Sequence, residues 1–205
     1  MSIVYPLALP TATGIAAVRL IPRAVVAVGA SPYTLQQQVQ EHPGQAWQAE
    51  ITLPPMKRAE ADAWTSFFLK LNGRRGTFLL GDPAAATPRG TVAGTPVVDG
   101  AHAVRLKTLA LRGITVGTTL LAGDYVQVGS GATARLHKNL NDATADGAGK
   151  MTLDIWPSLR EALADGAAVV TASTVGLFRL ASNEMPWSTD PGPLYSIQFS
   201  AMEAL

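Results

Sequence analysis

The stretch Trp47-Gln48-Ala49-Glu50-Ile51-Thr52-Leu53, closed by Pro54-Pro55 and followed by Lys57 to Leu71, decides how the rest of the chain is read. Trp47, Ala49, Ile51 and Leu53 fall on one side and Gln48, Glu50 and Thr52 on the other, the alternation of a half-buried strand. Neither proline can donate to a ladder, so the strand stops there. Trp64, Phe67, Phe68 and Leu71 then recur at i, i+3, i+4 and i+7, with Met56 and Ala63 extending the same face. This predicts one amphipathic helix over 57–71. Asn72-Gly73 supplies a left-handed cap, and Gly76-Thr77-Phe78-Leu79-Leu80 is a second apolar strand ended by Gly81-Asp82-Pro83. The aromatic stripe is read as core, with Trp47, Ile51, Trp64, Phe67, Phe68, Leu71 and Phe78 as its expected members.

Working outward, the flanks also read as β structure. Val18 to Val28 is rich in β-branched residues and predicts a strand, before Gly29-Ala30-Ser31-Pro32 turns the chain. Residues 33–40 alternate and predict another strand. His42-Pro43-Gly44 reads as a turn, so that 33–53 forms a hairpin. Residues 1–18, broken by Pro6, Pro10 and Gly14, read as an extended arm with a short strand at its start.

After Gly81 the texture changes. Pro83, Pro88, Gly90, Gly94, Pro96 and Gly100 mark a linker-like entry, and short strands between Gly-rich turns follow at 102–111, 120–121, 124–129, 134–138, 151–155 and 167–170. Residues 157–163 read as a helical or turn segment. This spacing suggests a small antiparallel barrel or sandwich. Strands at 177–181 and 194–202 return to the first style. The fold class is therefore mainly β. The expectation is a β-sandwich belt domain with one α-helix (1–81 and 177–205) and an inserted small antiparallel β domain (82–176) that tolerates excision.

Composition narrows the function. The 205 residues are 47% hydrophobic, enough for a substantial core. A net charge of +1, from 16 basic and 15 acidic residues, makes no electrostatic case for nucleic acid or an anionic membrane. Charged residues are only 15%, against about 25% on average, which suits a protein that covers much of its surface with partners. There is no cysteine, hence no disulfide and no thiolate chemistry. The first residues lack a basic signal-peptide start, and no apolar run approaches the roughly 18 residues of a membrane span. A soluble protein is expected, with no membrane insertion.

No catalytic pattern stands out. His42, His102 and His137 lie far apart without metal-ligand spacing. Asp142-Ala143-Thr144-Ala145-Asp146-Gly147 copies the first half of a calcium loop, but Leu153 stands where a bidentate glutamate is needed. An Asp-Gly hairpin loop is the better reading. The carboxylate pairs Asp154 with Glu161 and Glu184 with Asp190 are read as solvated, and no cofactor or metal is expected.

The segment 47–83, the ending Phe178-Arg179-Leu180 … Trp187 … Tyr195-Ser196-Ile197-Gln198-Phe199, and Leu121-Ala122-Gly123-Asp124-Tyr125-Val126-Gln127-Val128-Gly129 with Leu136-His137-Lys138 and Leu153-Asp154-Ile155-Trp156-Pro157 resemble the minor tail proteins of long-tailed bacteriophages, and within them the distal tail proteins. The likeness covers most of the chain from residue 24 onward. It implies a structural, non-enzymatic virion protein. Its belt domain would form a homohexameric ring that joins the tail tube to the tail-tip hub and surrounds the DNA exit channel. The implied partners are the tail tube protein, the hub, other minor tail proteins and receptor-binding proteins, without specific nucleic-acid binding. The implied place is the virion tail tip, reached from the host cytoplasm during assembly. The competing expectation is a carbohydrate- or receptor-binding module of the tail, with Trp156 and Trp187 as stacking aromatics. A ring needs an interface. Gln36, Gln38, Gln40, Ser196, Gln198 and Ser200, neutral and polar on two strands expected at sheet edges, are its candidates.

Overall fold

In the computed structural model, which describes residues 3–11, 13–189 and 194–205, the chain is mainly β with one helix. The first sheet has five antiparallel strands in the order β1-β2-β15-β12-β3. These are β1 (Ala17–Ala30), β2 (Gln37–Thr52), β15 (Gln198–Glu203), β12 (Gly176–Leu180) and β3 (Phe78–Leu80). Helix α1 (Arg58–Leu71) packs on one face. The Glu60 carboxylate accepts from the Lys57 N–H at its start, and Asn72, left-handed at φ 51, ends it. Trp64, Phe67, Phe68 and Leu71 are buried with Trp47, Ile51, Phe78 and Phe199 in one cluster. Its rings meet edge-on or tilted, with centroids 5.0–6.2 Å apart for Phe68–Phe199 and Phe78–Phe199. The N-terminal segment lies along the same unit. Leu7 bridges Phe78 in parallel, the Tyr5 hydroxyl donates to Lys70 O at 2.6 Å, and Trp64 Nε1 donates to the Thr13 hydroxyl at 2.9 Å.

The second sheet has six antiparallel strands in the order β11-β7-β8-β10-β5-β4. These are β11 (Val169–Val170), β7 (Tyr125–Val128), β8 (Arg135–Asn139), β10 (Met151–Trp156), β5 (Thr108–Ile114) and β4 (Gly94–Val98). A bridge from Val97 to Ala168 and a bond from the Val98 N–H to Ala167 O nearly close it into a barrel. Two glycines let β4 and β5 approach closely: both have positive φ, and a Cβ on either would lie within 2.6 Å of a carbonyl oxygen of the other strand. A small pair, β6 (Thr119–Leu120) with β9 (Ala143–Thr144), adjoins the barrel, and β13 (Ser188–Thr189) pairs with β14 (Tyr195–Ser196) beside the first sheet. The chain leaves the first sheet at Leu80 and re-enters it at Gly176, and these two residues are paired.

The two sheets share a buried junction. Trp47 stands edge-on to Trp156 with centroids 4.5 Å apart, lies 6.2 Å from the Tyr125 ring, and donates its Nε1–H to Leu136 O at 2.9 Å. Glu203 accepts from the Trp47 N–H and from Arg160, both at 3.0 Å. The Leu177 N–H donates to Ala134 O, and the Val175 N–H to Gln127 Oε1. The expectation that 82–176 can be cut out freely does not fit this junction. Its removal uncovers Trp47 and leaves the Glu203 side chain, 3% exposed, without its cation.

Several sequence expectations are corrected. There is no hairpin over 33–53. β2 is a single strand from Gln37 to Thr52, and its hairpin partner is β1. His42-Pro43-Gly44 is a bulge, since Ala24 faces Gln45 and Val26 faces Glu41, leaving three residues against one. The actual turn holds Ser31 to Gln36, with the Ser31 hydroxyl accepting from the Tyr33 and Thr34 N–H groups and Leu35 at φ 58. Pro22 stands inside β1, which an edge strand permits. Residues 82–100 contain a 3₁₀ turn over Pro83–Ala85 and strand β4 rather than a plain linker. Residues 157–163 contain no helix.

Candidate assembly surface

β1 and β2 run on beyond the sheet as a two-stranded arm. Every residue from 22 to 44 is exposed except Ser31, which is half-buried. By strand alternation and the observed register, Val26, Val28 and Val39 continue the row of Val18, Leu20, Trp47 and Ala49 that packs on the core. Past the end of the core Glu41, opposite Val26, pairs with Lys107 at 2.7 Å, and the valines of the row stay uncovered: Val28 is 58% exposed and Val39 66%. Tyr33 and Leu35, at the tip, are exposed too. The other face of the arm carries Arg23, Val25, Ala27, Gly29, Gln38 and Gln40. A free two-stranded ribbon is marginal in water, and an uncovered apolar row marks a contact surface.

The six candidate interface residues divide into two places. Gln36, Gln38 and Gln40 lie on the arm, Gln36 in its turn and the others on β2. Ser196, Gln198 and Ser200 point outward from the far end of the sheet, where Gln198 pairs with Thr52 and Ser200 with Glu50. The structure does not bring the groups together within one chain. From Gln38 to Glu50 along β2 is about 40 Å at about 3.3 Å per residue. The edge assignment of 194–202 is corrected, because β15 lies between β2 and β12 and its ladder is filled on both sides. In β2 only the arm half keeps an open edge.

On the outer face of the first sheet, opposite α1, lies a groove of about 440 Å³. Its floor is Glu50, Thr52, Gln198 and Ser200, and the segment Glu184-Met185-Pro186 forms a wall. Trp187, next along that segment, is 46% exposed. Glu50 is paired with Arg19 at 3.1 Å. Glu184 and Arg23 have no ion-pair partner among the described residues.

The remaining candidates have structural surroundings. His102 Nε2 accepts from the Ala110 N–H, which leaves Nδ1–H to donate to Gly100 O. His137 is buried in the barrel, donates Nδ1–H to Pro157 O at 2.7 Å, and is pushed down to about 4 chiefly by burial, with Arg160 and Arg135 adding to the effect. His42 sits exposed in the arm's bulge. Asp142 accepts from the Ala122 N–H, and Asp146 accepts from the N–H groups of Ala148 and Lys150. Those bonds, Lys150's above all, hold Asp146 below the usual carboxylate range. Asp154 accepts from Asn141, and Glu161 pairs with Arg135. Asp190 lies outside the described residues. Among the described residues no group of three or more His, Asp or Glu side chains is placed to hold a metal ion, and no helix is long and apolar enough to cross a membrane. Trp156 is packed against Trp47, and of the two tryptophans proposed to stack on sugar only Trp187 presents a substantial exposed face.

No model of a known protein family matches the chain, and no curated protein matches its sequence.

Proposed function

We propose that this chain is a structural subunit of a bacteriophage tail tip, a distal tail protein. In this reading copies of the chain form a ring between the tail tube and the tail-tip hub, around the channel through which DNA leaves. The barrel of residues 94–170 faces outward, towards receptor-binding components. The subunit acts by shape and contact, at the virion tail tip, after assembly in the host cytoplasm. The resemblance in residues 47–83 and 178–199 suggests the family. The observation that carries the reading is the arm of residues 22–44, whose core-facing row of valines extends past its own core and needs a protein surface to cover it.

The test is direct. Purified protein at high micromolar concentration is examined by mass photometry and by class averages from negative-stain microscopy. Closed rings of a fixed number of copies are expected. A particle that stays monomeric at every concentration refutes the reading.

A further inference from the structure

The arm and the outer-face groove lie at opposite ends of one strand, β2, and the arm runs away from the groove. A chain therefore cannot seat its own arm in its own groove. Any contact between the two surfaces joins two molecules, and it repeats, since each copy keeps a free arm at one end and a free groove at the other.

Their chemistry is complementary at several points. The groove has a polar floor of Glu50, Thr52, Gln198 and Ser200 and a wall that carries Met185 and Pro186, with Trp187 beyond. The arm has one face with Arg23, Gln38 and Gln40, interrupted by Val25, and another with Val26, Val28 and Val39, on which Glu41 lies nearer the core and is already paired with Lys107. A ribbon laid between floor and wall puts amides on amides and hydroxyls, and valines on the Met185–Trp187 segment. Arg23 then reaches the carboxylate side of the groove, where Glu184 is the unpaired partner. Both the cation and the carboxylate lack a partner within their own chain among the described residues, and each would supply the other's.

We propose that the groove of one copy is the receptor for the arm of a second copy of this chain, with Arg23 and Glu184 as the charge pair that sets the register. The proposal rests on the ring reading and names the surfaces that make the ring. It also gives the two groups of candidate residues one role: Gln38 and Gln40 of one copy meet Gln198 and Ser200 of the next.

Head-to-tail docking has a signature that a symmetric contact lacks. An arm-blocked variant, Val28→Glu with Val39→Glu, keeps its groove, and a groove-blocked variant, Gln198→Arg with Ser200→Arg, keeps its arm. Each alone is expected to be monomeric, with a circular dichroism spectrum like the wild type because all four residues are exposed. Mixed, they are expected to give one-to-one pairs and nothing larger, since one good arm finds one good groove. In an otherwise unchanged chain, Arg23→Glu or Glu184→Arg alone is expected to weaken self-association by about tenfold or more, and the two together to restore it. Wild-type rings without a pair in the mixture, or without rescue by the double reversal, overturn this docking and leave the ring reading standing. Wild-type protein that never self-associates overturns both.

Discussion

Replacing Arg160 by methionine probes the junction between the two sheets. The Arg160 side chain is 11% exposed and that of Glu203 3%. One oxygen of Glu203, Oε2, accepts from both the Arg160 guanidinium and the Trp47 N–H, each at 3.0 Å. Without the guanidinium an ionised carboxylate remains almost sealed from water with a single N–H for a partner. Removing one member of a buried pair costs about 3–5 kcal/mol. The small opening beside Arg160 admits some solvation, so the lower end, about 3 kcal/mol, is expected. Adding Glu203→Gln removes the orphaned charge and keeps an oxygen for the Trp47 N–H. The double variant should return to within about 1.5 kcal/mol of wild type. Urea unfolding followed by tryptophan fluorescence and by circular dichroism reads both values, provided the slope is unchanged. A single variant within about 0.5 kcal/mol of wild type, with the double no better than the single, would show that Glu203 is solvated and that this pair does not tie the sheets together.

Two further outcomes follow from the cores. Phe67→Ala should cost about 3–5 kcal/mol, because Phe67 touches Trp64, Phe68 and Phe78 with centroids 5.5–5.8 Å away; thermal unfolding that hardly moves would take α1 out of the core. His137 falls from 6.5 in the unfolded chain to about 4 in the fold, so between those values the unfolded state binds the extra proton. The stability that neutral His137 contributes is fully present above pH 6.5 and is lost as pH falls towards 4, by about 3 kcal/mol at about 1.4 kcal/mol per pH unit. His137→Gln should flatten that stretch of the pH–stability curve, and an unchanged slope in the variant would assign it to other groups.

The first core was legible because its pattern is local. The i, i+3, i+4, i+7 spacing of Trp64, Phe67, Phe68 and Leu71 and the alternation of Trp47 to Leu53 each lie within one element, and both faces turn to the same cluster. The barrel strands were legible as short runs, but β4 was hidden. Gly94-Thr95-Pro96-Val97-Val98 has the composition of a linker, and only the glycine-lined approach of β5 makes it a strand. The arm is hidden for a similar reason. His42-Pro43-Gly44 has turn chemistry, and a bulge uses the same residues as a turn.

By itself the sequence determined the helix and most of the strands, the members of the helix–sheet core, and a nearly neutral overall charge. All of these follow from side-chain type and short-range period. Tertiary structure alone decided which residues stay uncovered. Val26, Val28 and Val39 have the same alternation as Val18 and Leu20, and a strand's pattern does not reveal where the core beneath it ends. It also decided that β15 lies inside the sheet, because strand order depends on pairings between residues far apart in the chain, such as Ser200 with Glu50 and Phe178 with Glu203. The Trp47–Glu203–Arg160 junction was invisible for the same reason: its members are brought together only when both sheets have formed.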